Sequence, residues 1–184
     1  MSDTKTDVCP VEFQTSGKLA EKGVTVIEQS NIDQLSSRGY GVTENKTLTL
    51  AFFEVLYLQD KGMLTVKNEK NTSVDFQTIL RLYQAIDENA WVNYLVYRDL
   101  RSRGYVVREG FGVGTEFRVY ERGAYGKESA SYMVLGTQEG KPLNINILSD
   151  ILQQCQNQKK ELVIAVMNRR AEIVYYSVSQ LTFK

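Results

Sequence analysis

The most informative chemical feature of the sequence is a residue type that it lacks. None of its 184 residues is a histidine, although histidine is the commonest general base near neutral pH and the commonest metal ligand. The acidic residues form no tight cluster of the kind that a two-metal nuclease needs. The only cysteines, Cys9 and Cys155, lie far apart, which argues against a disulfide framework. We therefore expect no cofactor, and a chemistry that uses groups other than imidazole.

Lysine, tyrosine and arginine supply the remaining candidate groups. Lys159 and Lys160 are adjacent, and such a pair at the end of a helix is ordinarily solvated and complements the helix dipole. Tyr120, taken alone, is an ordinary strand aromatic. Four arginines would usually form a solvated face but could also guide an RNA backbone by nonspecific attraction: Arg98, Arg101, Arg103 and Arg108.

Composition narrows the class of protein. The chain is 42% hydrophobic and 24% charged, as compact globular proteins are. Its 22 basic and 22 acidic residues cancel, so the net charge neither points to nucleic acid nor excludes a local basic face. No apolar run approaches the ~18 residues of a membrane span, and the first residues are polar and acidic, unlike a signal peptide. We expect a cytoplasmic protein without membrane contact.

Periodicity predicts a flexible leader over residues 1–16 and a small α+β domain over residues 17–90. The pattern predicts, in order, a strand within 18–27, a polar turn at 36–40, a helix over 48–58 capped by Thr47 or Thr49, a strand over 63–67 and a helix over 74–86.

A second predicted domain occupies residues 91–184. Its predicted elements are a helix from Trp91 to Leu100 with Gly104 at its end, strands over 105–108, 116–120 and 132–135, a helix over 143–158, and strands over 162–167 and 172–178. The glycine-containing segment 109–114 is predicted to be a bend between strands. The expected fold class is α+β, with an α/β C-terminal domain in which helices flank a mixed sheet.

With these elements placed, several segments resemble the archaeal tRNA-intron (tRNA-splicing) endonuclease family. YLVYRDLRSRGYVVREG (94–110), GTEFRVYERG (114–123), KKELVIAV (159–166) and EIVYYSV (172–178) resemble parts of its catalytic domain. RGYG (38–41) and LAFFEVLYLQDKGMLTV (50–66) resemble its smaller N-terminal domain. The resemblance covers residues 18–182 and implies a C-terminal nuclease-like domain.

The resemblance implies metal-independent cleavage of precursor tRNA at the bulge-helix-bulge, leaving a 2′,3′-cyclic phosphate and a 5′-hydroxyl. This reaction needs a base for the 2′-hydroxyl, an acid for the leaving oxygen and a cation for the phosphate charge, and the family uses tyrosine, histidine and lysine. Tyr120, directly before ERG, matches the tyrosine, and Lys160 matches the lysine. The family segment E-H-x-x-Y is ESASY here, so that Ser129 stands at the histidine position.

Three departures from the family pattern affect, in turn, catalysis, RNA binding and subunit assembly. A serine hydroxyl has no useful acidity near neutral pH, and loss of one such catalytic group typically removes about 10²–10⁴-fold in rate. Gln153 stands where the family has an arginine that stacks on a flipped-out base; with Lys159 and Arg108 it completes the predicted RNA-binding residues. The turn NRRAE (168–172) cannot repeat the acidic loop by which self-assembling tetramers of the family associate.

The leading hypothesis is a structural subunit of a heterotetrameric endonuclease, inactive alone, whose paralogue carries the intact triad. The resemblance implies dimerisation through the C-terminal strand, residues 172–180. One alternative is a catalytic-type subunit with a natural or engineered His-to-Ser change, because a purely structural subunit has no need of Tyr120 and Lys160. A further alternative is an RNA-binding or assembly module outside splicing.

Overall fold

The computed structural model of the chain describes residues 14–110 and 116–181, which form five α-helices and eleven β-strands. The first elements are β1 (Thr15–Ala20), β2 (Gly23–Val26), α1 (Gln29–Ser37), β3 (Val42–Glu44), β4 (Thr47–Leu50), α2 (Phe52–Asp60), β5 (Leu64–Lys67), β6 (Ser73–Val74) and α3 (Phe76–Gln84). They are followed by α4 (Ala90–Ser102), β7 (Val106–Glu109), β8 (Phe117–Tyr120), β9 (Tyr132–Gln138), α5 (Ile145–Asn157), β10 (Glu161–Met167) and β11 (Ile173–Val178).

The first sheet has the strand order β3-β4-β2-β1-β5-β6. Its β1–β5 pair is parallel and its other pairs are antiparallel. Apolar and polar residues alternate along the strands, so one face of the sheet is buried against α2 while the other carries polar side chains. Thr15 and Ser16 already belong to β1, whereas most of the predicted leader lies outside the described residues.

The predicted helix over 48–58 was wrong at its beginning. Leu48 and Leu50 are buried residues of β4, because the alternation of threonine and leucine from Thr47 is a strand pattern. The helix begins only at Phe52, and its N-cap residue is Ala51, whose N–H donates to the Glu54 carboxylate at 2.9 Å. Neither predicted threonine therefore caps it.

The second sheet has the strand order β11-β10-β9-β8-β7. Its strands β9 and β10 run parallel and are joined by α5, and its other pairs are antiparallel. Helices cover both faces: α4 packs with Val134 and Ala165, whereas α5 packs with Met133 and Leu162. The predicted bend at 109–114 falls mostly on residues 111–115, outside the described chain.

A continuous apolar core joins the two sheets. Phe53 of α2 lies 4.9 Å from the Tyr97 ring of α4 and 5.1 Å, edge to face, from the Phe117 ring of β8. Two mixed sheets with helices packed on them confirm the predicted α+β fold class, while the domain boundary at residues 90 and 91 stays a prediction. No helix within the described ranges is long and apolar enough to cross a membrane.

Candidate active site

The three predicted catalytic positions lie at one edge of the second sheet, the edge formed by the end of β8 and the beginnings of β9 and β10. Strand β8 ends at Tyr120, and the parallel strands β9 and β10 begin at Tyr132 and Glu161. Because β8 is antiparallel to β9, its end and the beginnings of β9 and β10 lie at the same edge. Ser129 lies three residues before β9 and Lys160 directly before β10, so both reach the edge at which Tyr120 lies.

Hydrogen bonds join the segments that carry these residues. The Ser131 N–H donates to the Val119 carbonyl at 3.0 Å, and the Glu161 N–H donates to the Ser131 carbonyl at 3.0 Å. The Lys160 Nζ donates to the Ala130 carbonyl at 2.9 Å. The lysine is thereby held beside the segment that contains Ser129, and the backbone links that segment to the end of β8.

The three side chains have different surroundings. Tyr120 is half-buried, and its ring packs edge to face against Tyr125 at 5.1 Å. Ser129 is exposed and Lys160 is half-buried. This edge therefore offers a phenol, a hydroxyl and an ammonium group, and the hydroxyl is the one that cannot act as an acid near neutral pH.

A hydrogen-bonded pair of side chains at this edge was not predicted from the sequence. The Tyr132 hydroxyl donates to the Glu121 carboxylate at 2.7 Å. This hydrogen bond, with a smaller contribution from burial, raises the pKa of Tyr132 to about 12. The pair joins the residue after Tyr120 to the first residue of β9, which helps to hold the two strands together at the site. The acidic residue of ERG and the tyrosine of ESASY were the available signal.

Two of the predicted RNA-binding residues lie on or just after α5. Gln153 is exposed on the helix, and Lys159 is exposed just beyond its end. Lys159 has a φ of 55°, and its N–H donates to the Gln156 carbonyl at 2.9 Å. This left-handed turn ends the helix and is followed directly by Lys160, so Lys159 is adjacent to the candidate site.

Arg108 does not join this group. Its guanidinium donates to the Gly39 carbonyl at 3.0 Å and lies 3.7 Å from the Glu54 carboxylate, with 13% of the side chain exposed. Arg101 likewise lies over the Tyr40 ring at 4.0 Å and donates to the Arg38 carbonyl. These two arginines fasten the second sheet and α4 to the first part of the chain. Because so little of the Arg108 side chain is exposed, its surroundings give no support to the predicted RNA contact, which stays a prediction.

The strand predicted to form a dimer, β11, lies at the edge of its sheet. Val174 and Tyr176, 42% and 55% exposed, project from the same face of it. The turn before β11 is organised by Asn168, whose Oδ1 accepts hydrogen bonds from the N–H groups of Arg170 and Glu172. Within the described parts of the chain, no cluster of three or more acidic or cysteine side chains could hold a metal ion.

Comparison with known proteins shows similarity over almost the whole chain. Residues 15–80 match the family model of the tRNA intron endonuclease N-terminal domain, and residues 90–175 match that of its catalytic C-terminal domain. A tRNA-splicing endonuclease of Methanococcus vannielii is 32% identical over 164 residues, which are 89% of this chain and 93% of the relative. A tRNA-splicing endonuclease of Pyrococcus furiosus is 32% identical over 174 residues, covering 94% of this chain and 98% of the relative.

Proposed function

Because the chain belongs to the tRNA intron endonuclease family, we propose that it is a structural subunit of a tRNA-splicing endonuclease. One observation carries this proposal: the edge that gathers Tyr120 and Lys160 presents an exposed serine, Ser129, as its third group. A site of this kind lacks an ionisable acid where the family mechanism uses one. Loss of such a group typically lowers the rate by about 10²–10⁴-fold.

The remaining site groups are suited to hold RNA. The Lys160 ammonium group has three N–H donors and uses one on the Ala130 carbonyl, which leaves two for a phosphate oxygen. Lys159 adds an exposed positive charge next to it. Gln153 offers an amide without the charge or stacking strength of a guanidinium. The chain therefore contacts precursor tRNA near the bulge-helix-bulge but grips it weakly by itself.

The proposed assembly is a cytoplasmic heterotetramer with a paralogue that carries the intact triad. Arg169 and Arg170 in the turn before β11 oppose self-association through an acidic loop. Among the described strands, β11 is an open sheet edge with Val174 and Tyr176 exposed beside it, which is the kind of surface that pairs with another subunit.

A catalytic-type subunit with a His-to-Ser change is the second candidate function. The hydrogen bond between Tyr132 and Glu121 and the close approach of Lys160 to Ala130 favour it, because a purely structural chain does not need an ordered catalytic edge. An RNA-binding or assembly module outside splicing is the third candidate, and failure to copurify with any endonuclease subunit would support it.

The proposed function is tested by purifying the chain alone and together with a triad-bearing paralogue. Intron excision from a precursor tRNA transcript is measured in EDTA, which removes metal-dependent nuclease contaminants. We expect excision by the mixture and none by the lone chain. Efficient cleavage by the lone chain would contradict a structural role.

The variant Ser129→His separates the first two candidates. For a structural subunit we expect it to stay inactive when purified alone, with its circular dichroism unchanged. A gain of 100-fold or more in cleavage, on the order of what one acid-base group supplies, would establish the catalytic-type subunit instead. Ser129→Ala is the control for the change of side chain, and Ser129→His with Tyr120→Phe tests whether any gain depends on the triad tyrosine.

A further inference from the structure

Within the described residues, the first sheet leaves one face open to solvent. The strand register places one outward residue of each strand in a single row across the sheet: Val42, Thr49, Thr25, Lys18, Lys67 and Ser73, in the spatial order of their strands. Each of the six is exposed or half-exposed, whereas the intervening residues Val24, Leu48 and Val66 are buried on the opposite face. The open face is therefore mostly polar, with two exposed apolar residues, Val42 at its rim and Ile27 just after β2.

Two lysines lie side by side near the middle of this row. Lys18 and Lys67 are direct partners in the parallel pair of β1 and β5, and like charges placed opposite each other destabilise a sheet. Neither lysine forms an ion pair with another described residue. Glu28 borders the same depression, but its two carboxylate oxygens accept hydrogen bonds from Ser30 and Asn31. These donors are neutral, so Glu28 keeps its negative charge, and the depression carries two positive charges against one negative charge. The excess positive charge is what a bound anion would balance.

Neutral donors surround the lysine pair. A depression of about 210 Å³ lies between the two lysines and the side chains of Ser16, Thr25 and Asn71. Ammonium, hydroxyl and amide groups are the side chains that proteins use to contact phosphate oxygens. The row has no aromatic residue and no apolar cluster of the kind that anchors protein–protein interfaces, which favours a phosphate backbone over a protein as the occupant.

We propose that this open face, the lysine face (Ser16, Lys18, Thr25, Lys67 and Asn71), docks the phosphodiester backbone of precursor tRNA. The proposal rests on the proposed function, which supplies the RNA. The candidate catalytic edge belongs to the other sheet, so the lysine face contacts a part of the RNA that is not being cleaved. Its contacts are to phosphates and read no sequence.

The test is the salt dependence of binding between the full chain and an intron-containing precursor tRNA transcript, measured by fluorescence anisotropy from 50 to 200 mM salt. The double variant Lys18→Gln and Lys67→Gln should bind more weakly, and the slope of log Kobs against log salt should fall by about 2, or about 1 for each phosphate that a lysine no longer neutralises. The ratio of wild-type to variant affinity should therefore be about tenfold smaller at 200 mM salt than at 50 mM salt.

Two matched controls locate the effect. Lys18→Arg with Lys67→Arg keeps both charges and should retain the wild-type slope. Lys22→Gln with Lys61→Gln removes the same charge from two exposed lysines outside the lysine face and should leave the slope unchanged. A slope that is unchanged in the Lys18 and Lys67 variant, or equally reduced in the Lys22 and Lys61 variant, would overturn the proposal.

Further outcomes separate this proposal from the proposed function. Wild-type chain that does not bind the transcript at 50 mM salt overturns the docking proposal. If the Lys18 and Lys67 variant binds RNA like the wild type but no longer copurifies with the triad-bearing subunit, the lysine face binds an acidic protein surface instead. That result also overturns the docking proposal. Failure of the wild-type chain to associate with the triad-bearing subunit contradicts the proposed function. This conclusion does not depend on how the Lys18 and Lys67 substitutions change the RNA affinity.

Discussion

Glu116, which directly precedes β8, is a carboxyl group in an unfavourable environment. Its Oε2 is buried and has no hydrogen-bond partner within the described ranges. Burial raises the pKa of Glu116 to about 7, against the opposing effect of a hydrogen bond from the Gly136 backbone. Because the pKa in the folded protein lies above the unfolded value of 4.5, the folded state binds this proton more tightly. The stabilisation of the folded state by this bound proton is fully present below about pH 4.5 and is lost as the pH rises through about 7.

We therefore expect Glu116→Gln to raise the free energy of unfolding at pH 8 by up to about 3 kcal/mol. At pH 5 the carboxyl group is already protonated in the folded protein, so the change should be small. Urea unfolding at the two pH values measures the difference. The exposed Glu109 of β7 offers a control, Glu109→Gln. An equal gain at both pH values would show that the effect does not come from the ionisation of Glu116.

At the scale of elements, the end of α5 shows a conflict between backbone conformation and proposed function. Lys159 adopts a φ of 55°, a left-handed conformation that glycine reaches without a steric penalty but that costs other residues roughly 1–2 kcal/mol. Many helices end with glycine at such a position. A lysine here adds positive charge beside Lys160 at the expense of stability.

The corresponding prediction is that Lys159→Gly stabilises the protein by about 0.5–1 kcal/mol, after the entropy cost of glycine in the unfolded chain is subtracted. The same variant should bind precursor tRNA more weakly, because it loses a charge beside the site. Chemical denaturation and anisotropy measure the two effects. Lys159→Ala removes the charge but keeps the left-handed strain, so a similar stabilisation by alanine would contradict the conformational explanation.

Elements with a clear period could be predicted from the sequence, and short or mixed ones could not. Helices α3, α4 and α5 and strands β10 and β11 lie close to their predicted positions. Helix α1 was missed, because only Ile32 and Leu35 supply apolar spacing in an otherwise polar segment. The start of α2 was misplaced because the β4 leucines continue smoothly into the apolar helix.

The candidate site shows the same division. Tyr120, Ser129 and Lys160 could be selected through motifs that the sequence displays. The partner of Arg108, the Gly39 carbonyl, lies 69 residues away in sequence, and no local pattern reveals such a contact. Arginines near residue 100 looked alike in the sequence, yet Arg101 and Arg108 became half-buried while Arg98 and Arg103 stayed exposed. Burial of a charged side chain is decided by what the tertiary fold places opposite it.

At the scale of the whole molecule, β11 is held on one face and open on the other. The Tyr175 hydroxyl donates to Asp99 of α4 at 2.7 Å, which fastens the strand to the core. Tyr176, the next residue, points to the opposite face and is 55% exposed. The strand is therefore fixed within its own subunit and still has a surface available for a second one.

We expect Tyr176→Lys to weaken the proposed association through residues 172–180 by about 30-fold or more, since loss of a buried interface tyrosine commonly costs about 2 kcal/mol or more. Light scattering over a range of protein concentrations measures the oligomeric state. Ser177→Lys adds the same charge to the opposite, α4-facing side of the strand and serves as the control. A wild-type chain that stays monomeric with and without its paralogue would rule out this interface.

The parallel pairing of β9 with β10 also bears on how the protein is made. During synthesis the chain emerges from its N-terminus, and the edge that carries Tyr120 and Ser129 then has no β10 beside it. Lys160 and its hydrogen bond to Ala130 arrive only after α5 has been made. Until then the side of β9 that will pair with β10 has free backbone N–H and C=O groups, and an unpaired strand of this kind promotes aggregation. The last quarter of the chain therefore covers this side of β9, and the second sheet is complete only after that part has been made.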